Sequence, residues 1–318
     1  MPKIKFGLAL QNYIAPGESI TPRTLVEHAT KAEELGYSSI WVWDHILLGS
    51  KSVFPVHDSL TTLTAVAATT KHVRLGTGIL VLSIRNPVAL AKQVATLDNL
   101  SEGRITLGVA AGWYEREFQA CGYPFDSRGQ TLQMNLEIMK RLWTENSVNG
   151  TYGQYIFKNV NMEPKPVQKP HPPLWMGGYV ETVLRRVGKR ADGWISYFYT
   201  PESFGSSWRK VLDSAKSANK DTNSFGNCDM IPIRIDSSTT EAKRLANEYI
   251  TKHCDLPAWS EATPNSAITG TPKDCVATIE SFSKAGVQEL VLIPAVAQLN
   301  EIPKQIERIG KELLPSFS

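Results

Sequence analysis

The chain has 318 residues, 42% hydrophobic and 20% charged, which is enough apolar material for a sizeable core and the wrong composition for a disordered chain. That length accommodates two ordinary domains or one large α/β barrel. Its 34 Lys and Arg against 31 Asp and Glu give a net charge of +3 with no basic block, so neither nucleic acid nor an anionic membrane is required as a partner, and a small anionic ligand stays open.

Four cysteines, Cys121, Cys228, Cys254 and Cys275, are widely separated and show no CxxC pair, so free thiols are expected rather than a metal site or a disulfide framework. The amino terminus MPKIKFGLAL turns polar too soon for a signal peptide, and no run of about 18 apolar residues occurs. These features predict a cytoplasmic protein with reduced thiols.

In chain order, Ile4 to Leu10 reads as a strand, followed by a helix from Pro22 to Leu35 that Thr21 caps and Gly36 ends. Strand Ser39 to Trp43, helix Asp58 to Thr70, strand Val73 to Leu82 and helix Pro87 to Leu100 follow. Strand Arg104 to Ala110 leads through Ala111, Gly112 and Trp113 into a charged segment that can open a loop or a helix. A helix from Thr131 to Trp143 has apolar residues at helical spacing. From Asn149 to Pro173 the alternation stops in a Gly-, Tyr- and Pro-rich segment, an insertion that is functional or carries a small hairpin. Its PKPVQKPHPP run reads more simply as a spacer than as a peptide-recognition element.

Alternation then resumes. Strands are predicted at Leu174 to Met176, Gly193 to Tyr197, Asp229 to Ile235 and Glu289 to Pro294. Helices are predicted at Glu181 to Arg190, Pro201 to Ala218, Thr240 to Cys254, Pro272 to Ala285 and Ile302 to Leu314. Eight strands alternating with helices, with no shift in composition, predict one (β/α)8 TIM barrel over residues 1–318 with an insertion after the fourth βα unit. A doubly wound sheet would carry a glycine fingerprint after its first strand, and IKFGLALQNYIAPG has none.

A barrel of this kind places its site at the carboxyl ends of the strands. Asp44 and His45 stand there, and the Asp can position an imidazole suited to proton transfer; the bland alternative is a helix cap beside a surface His. No second His falls on a strand end, so a metal is not expected. Gly78 and Ile79 mark a bulge or close backbone approach in the third strand, beside Thr77. Gly108 and Gly112 would let a flat ligand approach the fourth strand, with Trp113 as an aromatic wall. Gly177 and Gly178 precede a helix whose first N–H groups suit a phosphate, although a tight turn alone explains them. The segment from Leu256 to Thr269 is a cover for the site or an exposed connection.

The motifs KAEELGYSSIWVWDHILL, VRLGTGILVLSIRNPVALAKQVATLDNLSEGRITLGVAAGWYEREF, PLWMGG and RRVGKRADGWISY, taken together and in order, resemble the bacterial luciferase-like family of flavin and deazaflavin oxidoreductases. The resemblance spans nearly the whole chain and is strongest to the branch that uses coenzyme F420; the alternatives are an FMN-dependent monooxygenase using reduced flavin and oxygen, or a barrel that binds flavin without catalysis. It implies hydride transfer between the deazaflavin and a small alcohol, carbonyl or activated alkene, with Asp44 and His45 at the headgroup and His45 managing the proton. It also implies a bulge at Gly78 and Ile79, often through a non-proline cis peptide, backing the central ring. Gly177 and Gly178 would lie at the phosphate or side chain of the cofactor, with Gly112 and Trp113 flanking ring and substrate, and the protein would be a homodimer. The sugar phosphate dehydrogenases of that branch carry a glutamate where this chain has Trp113, which sets both that substrate and that acid catalyst in question.

Overall fold

The computed structural model describes residues 4–49, 53–253 and 266–317. The first half runs β1 (Lys5–Ala9), α1 (Pro22–Glu34), β2 (Ser39–Val42), α2 (Ser59–Thr69), β3 (Arg74–Thr77), β4 (Leu80–Val81), α3 (Pro87–Leu100), β5 (Ile105–Ala110), α4 (Glu115–Cys121) and α5 (Arg128–Thr144). A hairpin of β6 (Val148–Tyr152) and β7 (Tyr155–Val160) leads to β8 (Leu174–Gly177), α6 (Glu181–Arg190), β9 (Gly193–Tyr197), α7 (Pro201–Ser217), β10 (Gly226–Ile235) and α8 (Thr239–His253). The chain ends with β11 (Ile268–Gly270), α9 (Pro272–Lys284), β12 (Glu289–Pro294) and α10 (Ile302–Arg308), which continues as a π-helical turn over Ile309–Leu313.

β1, β2, β3, β5, β8, β9, β10 and β12 pair in parallel in that order, and β12 returns to β1, closing an eight-stranded barrel; β4 and β11 lengthen its wall beside β5 and β10. Four helices begin on a capping residue followed by proline. The Thr21, Asn86, Thr200 and Thr271 side chains accept from first-turn N–H groups, and the proline has no N–H to leave unpaired.

Two indoles fill much of the barrel's interior. Trp41 and Trp175 lie 5.7 Å apart, and the strands facing them carry glycine because nothing larger fits. A Cβ on Gly76 would stand 2.3 Å from the Trp41 ring, and one on Gly226 would stand 2.2 Å from the Trp175 ring. That packing explains why β10 starts at Gly226, before the expected Asp229: Gly226 and Asn227 pair with Gly193 and Trp194. Outside the barrel, apolar strand residues such as Ile231, Ile233 and Trp194 pack against the helices.

The segment between α5 and β8 joins a helix to a strand, so it lies at the amino-terminal face, opposite the strand ends that would carry a site. It forms the β6–β7 hairpin and then a proline-rich strap fastened to the barrel. Buried Asp98 accepts from both the backbone N–H and the side-chain amide of Gln168, at 3.0 and 2.7 Å, and Lys165 Nζ donates to Leu142 O and Glu145 O. A functional role at the strand ends is therefore not the reason for its length.

Other expectations shift at element ends. The third strand, predicted as one run from Val73 to Leu82, is divided into β3 and β4 by a cis peptide between Gly78 and Ile79. α5 begins a turn before Thr131, at Arg128, where the guanidinium lies 3.9 Å over the Phe125 ring and Nε donates to Gly112 O. The charged segment after Trp113 forms α4, and β11 was not anticipated. Cys254 and most of the Leu256 to Thr269 segment lie outside the described residues. Among the described residues no helix is long and apolar enough to cross a membrane, and the three described cysteines are free.

Asp229 on β10 is buried and accepts a hydrogen bond from Ser196 Oγ on β9 at 2.7 Å. Burial pushes its carboxyl up to about 8, against about 3.9 in an unfolded chain. Between those values the folded protein holds a proton that the unfolded chain releases, so this group's effect is to lower stability as pH rises from about 4 to about 8. Asp229→Asn keeps an acceptor for Ser196 and removes the charge. Denaturant unfolding is expected to show the variant more stable than the parent by about 2 kcal/mol or more at pH 8, with the gain vanishing near pH 4; a gain independent of pH would contradict a buried, protonated Asp229.

Candidate active site

Asn12, just past β1, binds the chain leaving β2 from both sides: its Oδ1 accepts from Trp43 N and its Nδ2 donates to Trp43 O, each at 2.8 Å. This sets the path of the next two residues, Asp44 and His45. Asp44 is buried and its carboxylate is fully used. Oδ1 accepts from Ser59 Oγ at 2.8 Å and from Arg85 Nη2 at 2.7 Å, and Oδ2 accepts from the Val81 N–H at 2.9 Å. One side chain thus joins the end of β2 to α2, to β4 just beyond the cis peptide, and to Arg85 ahead of α3.

The sequence reading had Asp44 positioning His45, and here the structure differs. The carboxylate beside the imidazole belongs to Glu117 on α4, whose Oε2 lies 3.0 Å from His45 Nδ1. Its Oε1 accepts from the backbone N–H groups of Ile46 and Leu47. Glu117 is completely buried and the His45 side chain is 11% exposed, so water competes little for either group. Asp44 and His45, adjacent just past the end of β2, thus take partners from different parts of the chain. His45 Nε2 has no hydrogen bond to a described residue.

Trp113 lies beside the imidazole. Its ring meets that of His45 edge-on, with centroids 5.7 Å apart at 82°, and is 42% exposed. Tyr114 follows, its hydroxyl donating to Gly49 O at 2.9 Å. A cavity of about 250 Å³ opens between this segment and the loop after β2, lined by Ile46, Leu47, Val53, Phe54, Tyr114 and Arg116 among others.

The glycines also have a packing use. On the side where a Cβ would stand at Gly108 and Gly112, protein atoms fill the space. A Cβ on Gly108 would meet Thr77 O at 2.1 Å, and one on Gly112, whose φ is +89°, would meet Val81 and Phe118 within 3 Å. Gly177 clears the Ile79 side chain and Gly178, at φ +142°, faces Val183 of α6, the helix that follows it. Gly78 faces Met230 and Trp41 inside the barrel. The Thr77 hydroxyl donates to Gly108 O at 2.7 Å and bridges β3 to β5 just past their last ladder pair, Gly76 and Thr106. Asp44, His45, Gly112 and Trp113 therefore form one group, Thr77 to Ile79 with Gly177 form a second, and Gly178 ends the wall beside it.

Arg85, Ser59 and Gln11 complete the arrangement. Gln11 follows the first strand, and no local sequence signal marks Arg85 or Ser59. Gln11 is buried at the end of β1 and donates to Pro294 O at 2.8 Å, while its amide oxygen has no partner among the described residues. Glu117 carried one visible signal, a glutamate in a helix opening directly behind a strand end. Among the described residues no group of three or more His, Cys, Asp or Glu could hold a metal ion.

Comparison with known proteins agrees with this architecture. An F420-dependent glucose-6-phosphate dehydrogenase of Amycolatopsis mediterranei (strain U-32) is 28% identical over 309 residues, covering 88% of this chain and 90% of that protein. An FMNH(2)-dependent dimethylsulfone monooxygenase of Pseudomonas putida is 32% identical over 141 residues, covering 43% of this chain and 38% of that one. An F420-dependent secondary alcohol dehydrogenase, solved in complex with an F420–acetone adduct, superposes with a TM-score of 0.84 at 20% identity, covering 99% of both chains, and shows the same fold. Residues 4–289 match the luciferase-like monooxygenase family, and the chain, with its closed parallel barrel and its His45 at the strand ends, belongs to that family.

Proposed function

We propose that the protein is a coenzyme F420-dependent oxidoreductase acting on a small alcohol, carbonyl or activated alkene. The observation that carries this reading is His45, held at the barrel mouth through Nδ1 by a buried carboxylate, with Nε2 left to exchange a proton and Trp113 as a wall at its side. The 28% identical relative, matched over nearly the full length of both chains, supports the choice of cofactor.

The residues present fit such a group. Gln11 has an unpaired buried amide oxygen at the end of β1, which suits a ring N–H, since a buried acceptor without a donor costs about 1–3 kcal/mol. The bound deazaflavin would supply the hydride chemistry. The chain does the rest: Gly78 and Ile79 offer backbone beside the ring, His45 Nε2 gives or takes the proton, and the closed barrel fixes the approach. Ile46 and Leu47, about half exposed, and Trp113 give the mouth an apolar rim. A substrate with an uncharged, apolar body is favoured over a sugar phosphate, because Trp113 presents an aromatic ring where the resemblance to the sugar phosphate dehydrogenases would call for a glutamate.

The FMN-dependent relative keeps a second reading in view, and a titration of the purified chain with F420 and with FMN, followed by cofactor fluorescence, separates the two. Selective binding of F420 is expected, and preference for FMN would assign the protein to the monooxygenase branch. With F420 bound, His45→Asn, which keeps a donor for Glu117, is expected to lower kcat by about 100-fold or more while leaving the cofactor Kd within a few-fold; unchanged turnover would remove His45 from the chemistry. Gly178→Val is expected to destabilise the fold as well as weaken cofactor binding, since its side chain would meet Val183. Comparison of its Tm with its Kd separates the two effects.

A further inference from the structure

Glu117 divides its two oxygens between two tasks. Oε2 binds His45 Nδ1 at 3.0 Å, while Oε1 accepts from the N–H groups of Ile46 and Leu47, at 2.5 and 3.1 Å. The carboxylate is completely buried, and it lies on α4, a different βα unit from the residues it holds. An oxygen that already accepts two N–H groups has no room for a proton of its own. A glutamate carboxylate, as acceptor on both oxygens, requires the Nδ1 position of His45 to carry hydrogen.

Ile46 and Leu47 are not incidental partners. Both line the cavity beside Tyr114 and Arg116, and their half-exposed side chains form the apolar rim. We infer that Glu117 is a positioning residue that couples the histidine's tautomer to the substrate face: one buried carboxylate holds His45 as the Nδ1–H form, leaving Nε2 as the working atom, and holds the backbone of the two residues next to it that shape the apolar cavity. Loss of the carboxylate would then disturb proton transfer and substrate placement together. The inference rests on the proposed role of His45 as proton handler, but the tautomer and the anchored loop are properties of the chain itself.

Two substitutions separate the tasks. Glu117→Gln can keep a carbonyl oxygen for the Ile46 and Leu47 N–H groups and turn its NH2 toward Nδ1, which forces Nδ1 to accept and moves the proton to Nε2. Glu117→Ala removes both. Nitrogen-15 NMR of histidine-labelled protein without cofactor, with His45 assigned from the spectrum of His45→Asn, reads the tautomer directly at a pH where the imidazole is neutral. The parent is expected to show a protonated Nδ1 and a bare Nε2, and Glu117→Gln the reverse. In the F420-loaded enzyme Glu117→Gln is expected to lower kcat by about 100-fold with substrate KM little changed, whereas Glu117→Ala is expected to lower kcat and raise KM together.

A parent protein with the proton on Nε2 would overturn the inference, as would a Glu117→Gln variant that keeps the parent's tautomer or its kcat. If the chain fails to bind F420 yet shows the expected tautomers, the cofactor reading fails and the positioning role stands. Should Glu117→Ala not fold, the tautomer and kcat of Glu117→Gln still decide the matter.

Discussion

The Asp44 carboxylate is the constraint on which the mouth of this barrel depends. Three hydrogen bonds, from Ser59, Arg85 and the Val81 N–H, converge on one buried side chain at the end of β2 and come from three later parts of the chain. A buried anion without partners is costly, and breaking one partner away from such a pair costs about 3–5 kcal/mol, so the folded chain brings all three together. Fixing Val81 in this way fixes the course of the backbone just past the Gly78–Ile79 cis peptide. His45, next in sequence, inherits its position from the same attachment.

The barrel interior imposes the second constraint. Two tryptophan rings occupy space that smaller side chains from several strands would otherwise share. Gly7, Gly76 and Gly78 face Trp41, and Gly193 and Gly226 face Trp175. Glycine normally weakens a strand, and here the aromatic packing it admits repays that cost. The same logic governs the strand ends, where Gly108, Gly112 and Gly177 make room for protein atoms, so the walls of the site close on themselves and leave the mouth to His45, Trp113 and the rim.

The relatives similar to this chain include both an F420-dependent dehydrogenase and an FMNH(2)-dependent monooxygenase. At the mouth of the barrel this chain sets a buried glutamate against His45 and surrounds them with a rim of partly exposed side chains. Trp113 belongs to that rim: it is 42% exposed, its backbone follows Gly112, where a Cβ would not fit, and its ring lies against those of His45 and Tyr114. A substitution at this position would alter the exposed rim and leave the Glu117–His45 contact in place. The amino-terminal face takes no part, since the proline-rich strap there is tied to α3 and α5 through Asp98 and Lys165.

The barrel was legible in the sequence because its signals are local. Alternating apolar runs, Thr-Pro and Asn-Pro helix starts and glycine stops are decided within a few residues, and they located most strands and helices to within a few positions. The rule that sites lie at carboxyl strand ends marked Asp44, His45 and Trp113 as candidates, and the fold sets the last two side by side. Short elements escaped, as β11 did, because three residues carry no periodicity. What only the tertiary structure decided was partnership. Glu117 is 72 positions from His45, and no spacing rule connects them, whereas Asp44 is adjacent and looked like the natural partner; the two side chains take different partners, and only the folded barrel brings α4 against the end of β2. The glycines followed the same division. Their positions were plain in the sequence, but whether each made room for a ligand or for a neighbouring side chain depended on which strand lay opposite, and that is a property of the closed barrel alone.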